Sequence, residues 1–344
     1  MAIKASGSQL AFSEIISEFG DNDTSSLGGY RVRSGGATYP QSFPGGLSFS
    51  SLDTGIPSSG QIKFSDFYSK KLNIVVDFHT GSTEFRSNAK SKYNSNNVTI
   101  IGGYRSRPTN TGGKKVFVHV NKSIGSDQNI NHRNVALKSG NWDANTDLNI
   151  NVGTGGKILG SGGRGGNGGN GGNNNGSNGV DGSSALGITY GPTTVTNNGR
   201  IQAGFGGGGG GAGRGQTVQV GKKSSTFRTS SGGGGGGGAG LPAGGAGSAG
   251  TGANWSGGSA GSAGQEQNSV DGGNGGQNAG AGGRSGGSDN TPNSSNAPSG
   301  GNSGGASGGT GGQNGYAIIT TSGSGPTISG NSVVGRTLTN STPT

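Results

Sequence analysis

Four Gly-Gly-X triplets follow one another without a break, Gly162-Gly163-Arg164, Gly165-Gly166-Asn167, Gly168-Gly169-Asn170 and Gly171-Gly172-Asn173, and they restrict this chain more than any other feature. A period of three matches neither the α-helix nor the strand. It matches the left-handed polyproline II helix, which turns once in three residues and makes no internal hydrogen bonds. Shorter traces recur at 272–277 and 308–313, and near-pure glycine runs at Gly206–Gly211 and Gly232–Gly238. Without side chains, such helices approach closely, and their N–H and C=O groups pair with the neighbouring helix, as buried backbone must. Collagen has one Gly in three and much Pro. Here the triplets are two-thirds Gly, and the chain holds 84 Gly against 10 Pro. The expected product is a bundle of antiparallel polyglycine II helices with the third residue of each triplet on an outward face or where neighbours leave space. Ordering glycine costs backbone entropy at the high end of about 1–2 kcal/mol per residue. Interchain bonds at about 1 kcal/mol net each offset that only as a cooperative lattice. A disordered Gly/Ser linker shares the composition, but it has no reason to keep strict triplets or to flank them with apolar anchors.

Those anchors repeat. Val152-Gly153-Thr154-Gly155-Gly156-Lys157-Ile158 aligns with Val195-Thr196-Asn197-Asn198-Gly199-Arg200-Ile201, and each runs on into glycine. Two strands joined by a tight turn would set Val and Ile against a common core and launch a glycine helix. Tyr316-Ala317-Ile318-Ile319-Thr320 could return the chain at the far end.

The rest of the chain divides by composition into an arm (1–71), a strand-rich region (72–152), the glycine-rich region (153–320) and a tail (321–344). Only 25% of the 344 residues are apolar, so hydrophobic burial is confined to a minority of the chain. In the arm, Gln9-Leu10-Ala11-Phe12-Ser13-Glu14 is echoed by Gln61-Ile62-Lys63-Phe64-Ser65-Asp66. Alternating Leu10, Phe12 and Ile62, Phe64 read as short strands, and Ser before an acid reads as a helix start or tight turn. The pair is expected to form an extended docking arm, with Leu10, Phe12, Ile62, Phe64, Phe67 and Tyr68 as candidate docking residues. In the second region Leu72–Phe78, Val98–Ile101, Val116–Val120, Ala136-Leu137 and Leu148–Val152 read as strands separated by Gly, Asn and Ser, giving an antiparallel β-domain. The fold class is therefore mainly β with irregular structure.

The order of strand domain, Val/Ile turn, Gly-Gly-X run, Ala185-Leu186-Gly187-Ile188, second Val/Ile turn and glycine run resembles the glycine-rich receptor-recognising adhesins at the tips of long tail fibres of T-even-type phages, over roughly residues 130–320. Phe64-Ser65-Asp66-Phe67-Tyr68 is similar to a segment common in phage structural proteins. The resemblance implies a polyglycine II sandwich whose loops contact a host receptor. It also implies a virion protein of the tail or tail fibre, assembled in the host cytoplasm. Its partners would be other tail or fibre proteins at the N-terminal region and an outer-membrane protein or surface glycan at the loops.

Chemistry is sparse. The three histidines, His79, His119 and His132, lie far apart and have no metal-ligand spacing; His119, between Val118 and Val120, is expected to face solvent. Gly221-Lys222-Lys223 lacks the earlier glycine of a phosphate loop, where Gln216 stands, and the hydroxyl residue directly after the first Lys. The 15 acids include no pair framed by aromatics, as sugar hydrolysis would need. Isolated Arg164, Arg214 and Arg284 do not form the Arg-aromatic clusters of RNA-binding segments. The expectation is a non-enzymatic protein with no cofactor and no nucleic-acid partner. The net charge of +10 is spread thinly, and no apolar run is long enough to cross a bilayer. Receptor contacts are expected where loops interrupt the glycine runs, at Lys222, Lys223, Phe227 and Arg228 and at Asn254 and Trp255, because an aromatic beside a base suits stacking and hydrogen bonding. The competing reading is a purely structural spacer or connector within the tail.

Overall fold

The computed structural model describes residues 3–19, 27, 57, 60–70, 74–78, 98–99, 115–128, 131–140, 142, 144–191, 193–219, 225–254, 257–265, 306–321 and 326–344. The triplet trace at 272–277 lies outside them, as do Lys222, Lys223 and Trp255.

The strands trace one circuit repeatedly. The first circuit contributes β1 (Ile74–Phe78) and β2 (Val98–Thr99). The second runs β3 (Lys115–Val120), β4 (Ser123–Ile124) and β5 (Val135–Lys138). The third runs β6 (Asp147–Val152), β7 (Lys157–Leu159) and β8 (Ser184–Ile188). The fourth runs β9 (Thr193–Asn197) and β10 (Arg200–Gln202). After a hairpin of β11 (Arg214–Gln219) and β12 (Ser225–Ser230), it closes with β13 (Tyr316–Thr320). The fifth holds β14 (Thr327–Gly330) and β15 (Arg336–Leu338). Equivalent strands stack into three sheets, β1-β3-β6-β9-β14, β4-β7-β10 and β2-β5-β8-β13-β15. Every ladder in them is parallel. The result is a three-sided parallel β-solenoid, in which each circuit contacts mainly its neighbours.

Period-two alternation supplies the core. Val118, Ile150, Val195 and Ile328 fall in one register column. Ile124, Ile158 and Ile201 form a second column, and Leu137, Leu186 and Ile318 a third. All are buried except Ile328, which belongs to the last circuit and is 40% exposed. Each fully buried aliphatic side chain contributes about 1.5–3 kcal/mol. The columns therefore explain how so apolar-poor a chain sustains a core.

The sheets correct the expectation of an antiparallel β-domain in 72–152. Alternation such as Val116, Val118, Val120 specifies which face is buried, not strand direction, and the partners lie one circuit away rather than across a hairpin. The ladders also continue past residue 152, since β6 pairs with β9 and β5 with β8. A second correction concerns His119, which is only 4% exposed. It lies on the face opposite Val118 and Val120, with its ring parallel to Phe117 at 6.4 Å. Burial pushes its pKa down to about 4.

The glycine segments between the second and third sheets extend from the solenoid as seven described runs, 160–171, 174–183, 203–213, 231–240, 242–251, 257–265 and 306–315. Backbone bonds recur every third residue. Gly163, Gly166 and Gly169 donate to Phe205, Gly208 and Gly211 at 2.8 Å. Gly204, Gly207, Gly210 and Gly213 donate to Ser183, Val180, Ser177 and Asn174. These bonds arrange the runs in two layers. One layer holds 174–183, 160–171 and 242–251 side by side. The other holds 306–315, 203–213, 231–240 and 257–265, offset so that each run of the first layer rests between two of the second. The close approach requires glycine: a Cβ on Gly163 would lie 1.9 Å from the Val180 carbonyl oxygen, and one on Gly166 2.0 Å from that of Ser177. Side chains occur where there is room. Arg164, Asn167 and Asn170 are exposed, whereas 203–213 and 232–240, which contain the purest glycine, are buried throughout.

A second ladder follows the Asx residues. Asn167 Oδ1 accepts from the Ser248 N–H at 3.0 Å, while the next N–H, that of Gly168, donates to the Ser248 carbonyl at 2.8 Å. The same reciprocal pair joins Asn170-Gly171 to Thr251, Asn175-Gly176 to Ser307, Asn178-Gly179 to Thr310 and Asp181-Gly182 to Gln313. The amide oxygen stands in for a backbone carbonyl, so each Asx-Gly engages both polar groups of one residue on a parallel run. Sheet and runs share a register. Tyr316 N–H bonds Ser184 Oγ across 132 residues, the same separation as the Asn175, Asn178 and Asp181 contacts.

Candidate functional site

Three places gather side chains that the fold does not require for its core. The first is the end of the glycine layers remote from the solenoid. Runs 160–171 and 203–213 leave β7 and β10, and the chain reverses beyond them at 172–175 and in the β11–β12 hairpin. A third reversal follows run 242–251. Side-chain bonds draw the three reversals together. Asn173 Oδ1 accepts from the Gly215 N–H at 2.7 Å. Asn254 Oδ1 accepts from the Thr229 N–H at 2.7 Å, its Nδ2 donates to the Phe227 carbonyl at 3.0 Å, and its own N–H donates to Thr229 Oγ1 at 3.0 Å. Thr229 Oγ1 then donates to the Gly252 carbonyl at 3.0 Å.

In the antiparallel β11–β12 ladder Thr217 faces Phe227. The Phe227 ring lies over Gly215, where a Cβ would come within 2.6 Å of Cζ. The ring is nevertheless 54% exposed, and Arg228 beside it is half-buried. Of the sequence-selected contact residues, Phe227, Arg228 and Asn254 thus lie at one end. Lys222, Lys223 and Trp255 fall outside the described residues. Sequence reasoning missed Asn173 and Thr229, which join the loops; the only signal was an Asn run at 173–175 closing the triplets.

The second place is the N-terminal pair. Helix α1 (Phe12–Phe19) and the 3-10 turn Phe64–Phe67 begin at equivalent residues of the echo. Both starts are capped alike: Ala11 N–H donates to the Glu14 carboxylate and Lys63 N–H to that of Asp66, each at 2.7 Å. This is the capping role of an acid three residues into a helix. The expected short strands at Leu10–Phe12 and Ile62–Phe64 do not form, because each Phe is the first residue of its helix or turn. The Glu14 pKa is lowered, first by the Ala11 N–H and then by Lys4, whose Nζ lies 2.9 Å away. Equivalent residues Ile15 and Phe67 are both fully buried, as is most of Leu10. Equivalent Phe12 and Phe64 meet edge to face with centroids 6.1 Å apart, and Phe64 remains 41% exposed. Ile62 and Tyr68 are half-buried. Tyr68 hydroxyl donates to the Ser8 carbonyl, and Ser69 N–H to the carbonyls of Ile3 and Lys4.

A third cluster lies where sheet meets glycine layers. His132 Nδ1 is 3.4 Å from Asp181 Oδ2, its ring is tilted against that of Tyr316, and the Arg336 guanidinium sits 4.6 Å over the Tyr316 ring. Asp181 Oδ1 is already engaged by Gln313. Among the described residues no group of three or more His, Cys, Asp or Glu could hold a metal ion, and no helix is long and apolar enough to cross a membrane.

Residues 82–341 match the family described as phage tail fibre adhesin Gp38. A solved structure, the gp37–gp38 adhesin tip complex of the bacteriophage S16 long tail fibre, aligns over 98% of this chain and 100% of its own at 18% identity. Its TM-score of 0.32 carries no argument about fold. No curated protein matches.

Proposed function

The chain belongs to the Gp38 phage tail fibre adhesins, and from that premise we propose that it is a non-enzymatic adhesin of the virion tail fibre. In this reading it binds a host-surface receptor through the end of its glycine layers. The observation that carries this is the union of three loop reversals by Asn173 and Asn254. It sets an exposed aromatic, Phe227, and Arg228 on a backbone scaffold with few freedoms of its own. Preorganised aromatic and Arg anchors are what dominate recognition surfaces. Lys222, Lys223 and Trp255 would complete the surface, against an outer-membrane protein or a surface glycan.

The layers themselves are read as polyglycine II helices. The support is the three-residue bond period, the absence of bonds within a run and the lateral contacts that exclude a Cβ. Residues 153–320 would then form the receptor-presenting part, built on the solenoid that begins in 72–152, with 321–344 closing it. The N-terminal pair would dock on another fibre protein. Leu10 and Phe67 are buried inside the pair, so Phe12 and Phe64, with the edges of Ile62 and Tyr68, would form the contact.

Adsorption tests the reading. Deleting 217–227 or changing Phe227→Ala together with Trp255→Ala should leave particles assembled but reduce host adsorption by about tenfold or more, the loss of a hot-spot anchor of about 1.4 kcal/mol or greater. Unchanged adsorption would refute receptor contact here and leave the spacer role.

A further inference from the structure

Six described asparagines precede a glycine, the pairing most prone to spontaneous deamidation: Asn167, Asn170, Asn175, Asn178, Asn198 and Asn314. In that reaction the glycine nitrogen attacks the side-chain Cγ and the amide nitrogen leaves as ammonia. The resulting five-membered imide then adds water to give aspartate or isoaspartate. The attacking nitrogen must lose its proton and swing towards Cγ, so a bond held by that N–H opposes the step, and a bond held by Oδ1 fixes the carbonyl away from it.

Five of the six sites are held at both atoms. Gly168, Gly171, Gly176 and Gly179 donate to the carbonyls of Ser248, Thr251, Ser307 and Thr310 at 2.8–3.0 Å. The N–H groups of those same four residues occupy the oxygens of Asn167, Asn170, Asn175 and Asn178 at 2.8–3.0 Å. At Asn314 the two partners are separate: Gly315 N–H donates to Gly204, and Asn314 Oδ1 accepts from Gly206. Asn198 is different. It is exposed, in the turn between β9 and β10, and neither its carboxamide nor the Gly199 N–H has a hydrogen-bond partner among the described residues.

We propose that the reciprocal Asx-Gly pairs lock the lattice asparagines chemically and that Asn198 is the most readily deamidated of the described Asn-Gly sites in the folded protein. Reaction at a locked site requires a local opening that breaks two bonds to one partner residue, so its rate is scaled down by the population of the open form. Reaction at Asn198 breaks no bond of its carboxamide or of the Gly199 N–H.

The test is peptide mapping by mass spectrometry of the full-length protein, held folded in mildly alkaline buffer and sampled over weeks. A parallel sample is held in denaturant. Asn198 should convert at least about tenfold faster than any of the five locked sites in the folded sample, with all six converging in denaturant. Asn198→Gln should remove the early product without accelerating the others. Gly235→Ala, which crowds the layers, should accelerate Asn167 and Asn178 and leave Asn198 unchanged. Conversion of any locked site at the rate of Asn198 in the folded wild type would overturn the proposal. So would an intact Asn198 while the denatured chain converts.

Discussion

Substituting Gly235 and Gly245 by alanine, one at a time, separates a lattice held by close backbone approach from a merely compact glycine-rich coil. Gly235 lies in the buried run 231–240. A Cβ there would sit 2.0 Å from the Gly208 carbonyl oxygen and 2.6 Å from its carbon. Ordinary contact needs about 3.4 Å, so runs 203–213 and 231–240 must part by more than about 1 Å. That disrupts the Gly208 N–H to Gly236 bond at 2.9 Å and strains its neighbours, Phe205 to Ala239 and Gly211 to Gly233. Two or three bonds at about 1 kcal/mol net each, less about 0.5 kcal/mol from the stiffer unfolded chain, give a loss of about 2 kcal/mol. Gly245 is exposed, and its Cβ would meet nothing nearer than Arg164 Cγ at 3.7 Å. There the unfolded-state term stands alone, so alanine should stabilise by about 0.5 kcal/mol. Denaturant unfolding followed by proteolytic resistance of the glycine region would read both. Equal effects of the two substitutions, or a neutral Gly235→Ala, would refute the lattice reasoning.

Asn254→Ala removes the two side-chain bonds that join the third reversal to β12 and leaves only that of the backbone N–H; proteolysis within 217–230 should accelerate several-fold, with core stability changed by less than about 1 kcal/mol. Leu137→Ala in a fully buried column should cost about 2–5 kcal/mol, and solenoid and glycine layers should then lose structure together by hydrogen exchange. Acid should destabilise the protein through His119. Its folded pKa is lowered to about 4 from 6.5, so the unfolded chain binds more protons between those values and stability falls as pH drops through that window, by about 3 kcal/mol in all. His119→Phe should flatten that part of the curve, and an unchanged slope would count against it.

The glycine layers were legible because a three-residue period has few structural solutions and because side chains at 164, 167 and 170 announce an open face. The Val–Gly–base–Ile repeat marked two consecutive circuits, and Val152, Ile158, Val195 and Ile201 do enter one core. Strand direction was not legible, since Val116, Val118 and Val120 alternate identically in either sense. Nor was closure: Leu186 pairs with Ile318 only because the whole glycine excursion intervenes, and no local signal links residues so distant. His119 reads as outward from its neighbours, and it does lie on the outer face; its burial depends on tertiary cover that alternation cannot report. At the candidate site, Phe227 and Arg228 stood out as an aromatic-base pair. The role of Asn254 as a staple depends on a fold-level meeting of two loops.

The continuity of register from sheet into glycine runs has a mechanical consequence. A load applied at the loop end would pull along the run axes, while the bonds between runs lie across them. Such a load shears many bonds at once instead of peeling them singly, and it arrives at the solenoid spread over several strands. The protein would thus resist drag like a laminate gripped along its full width, even though each thread in it is the most pliable chain that biology makes.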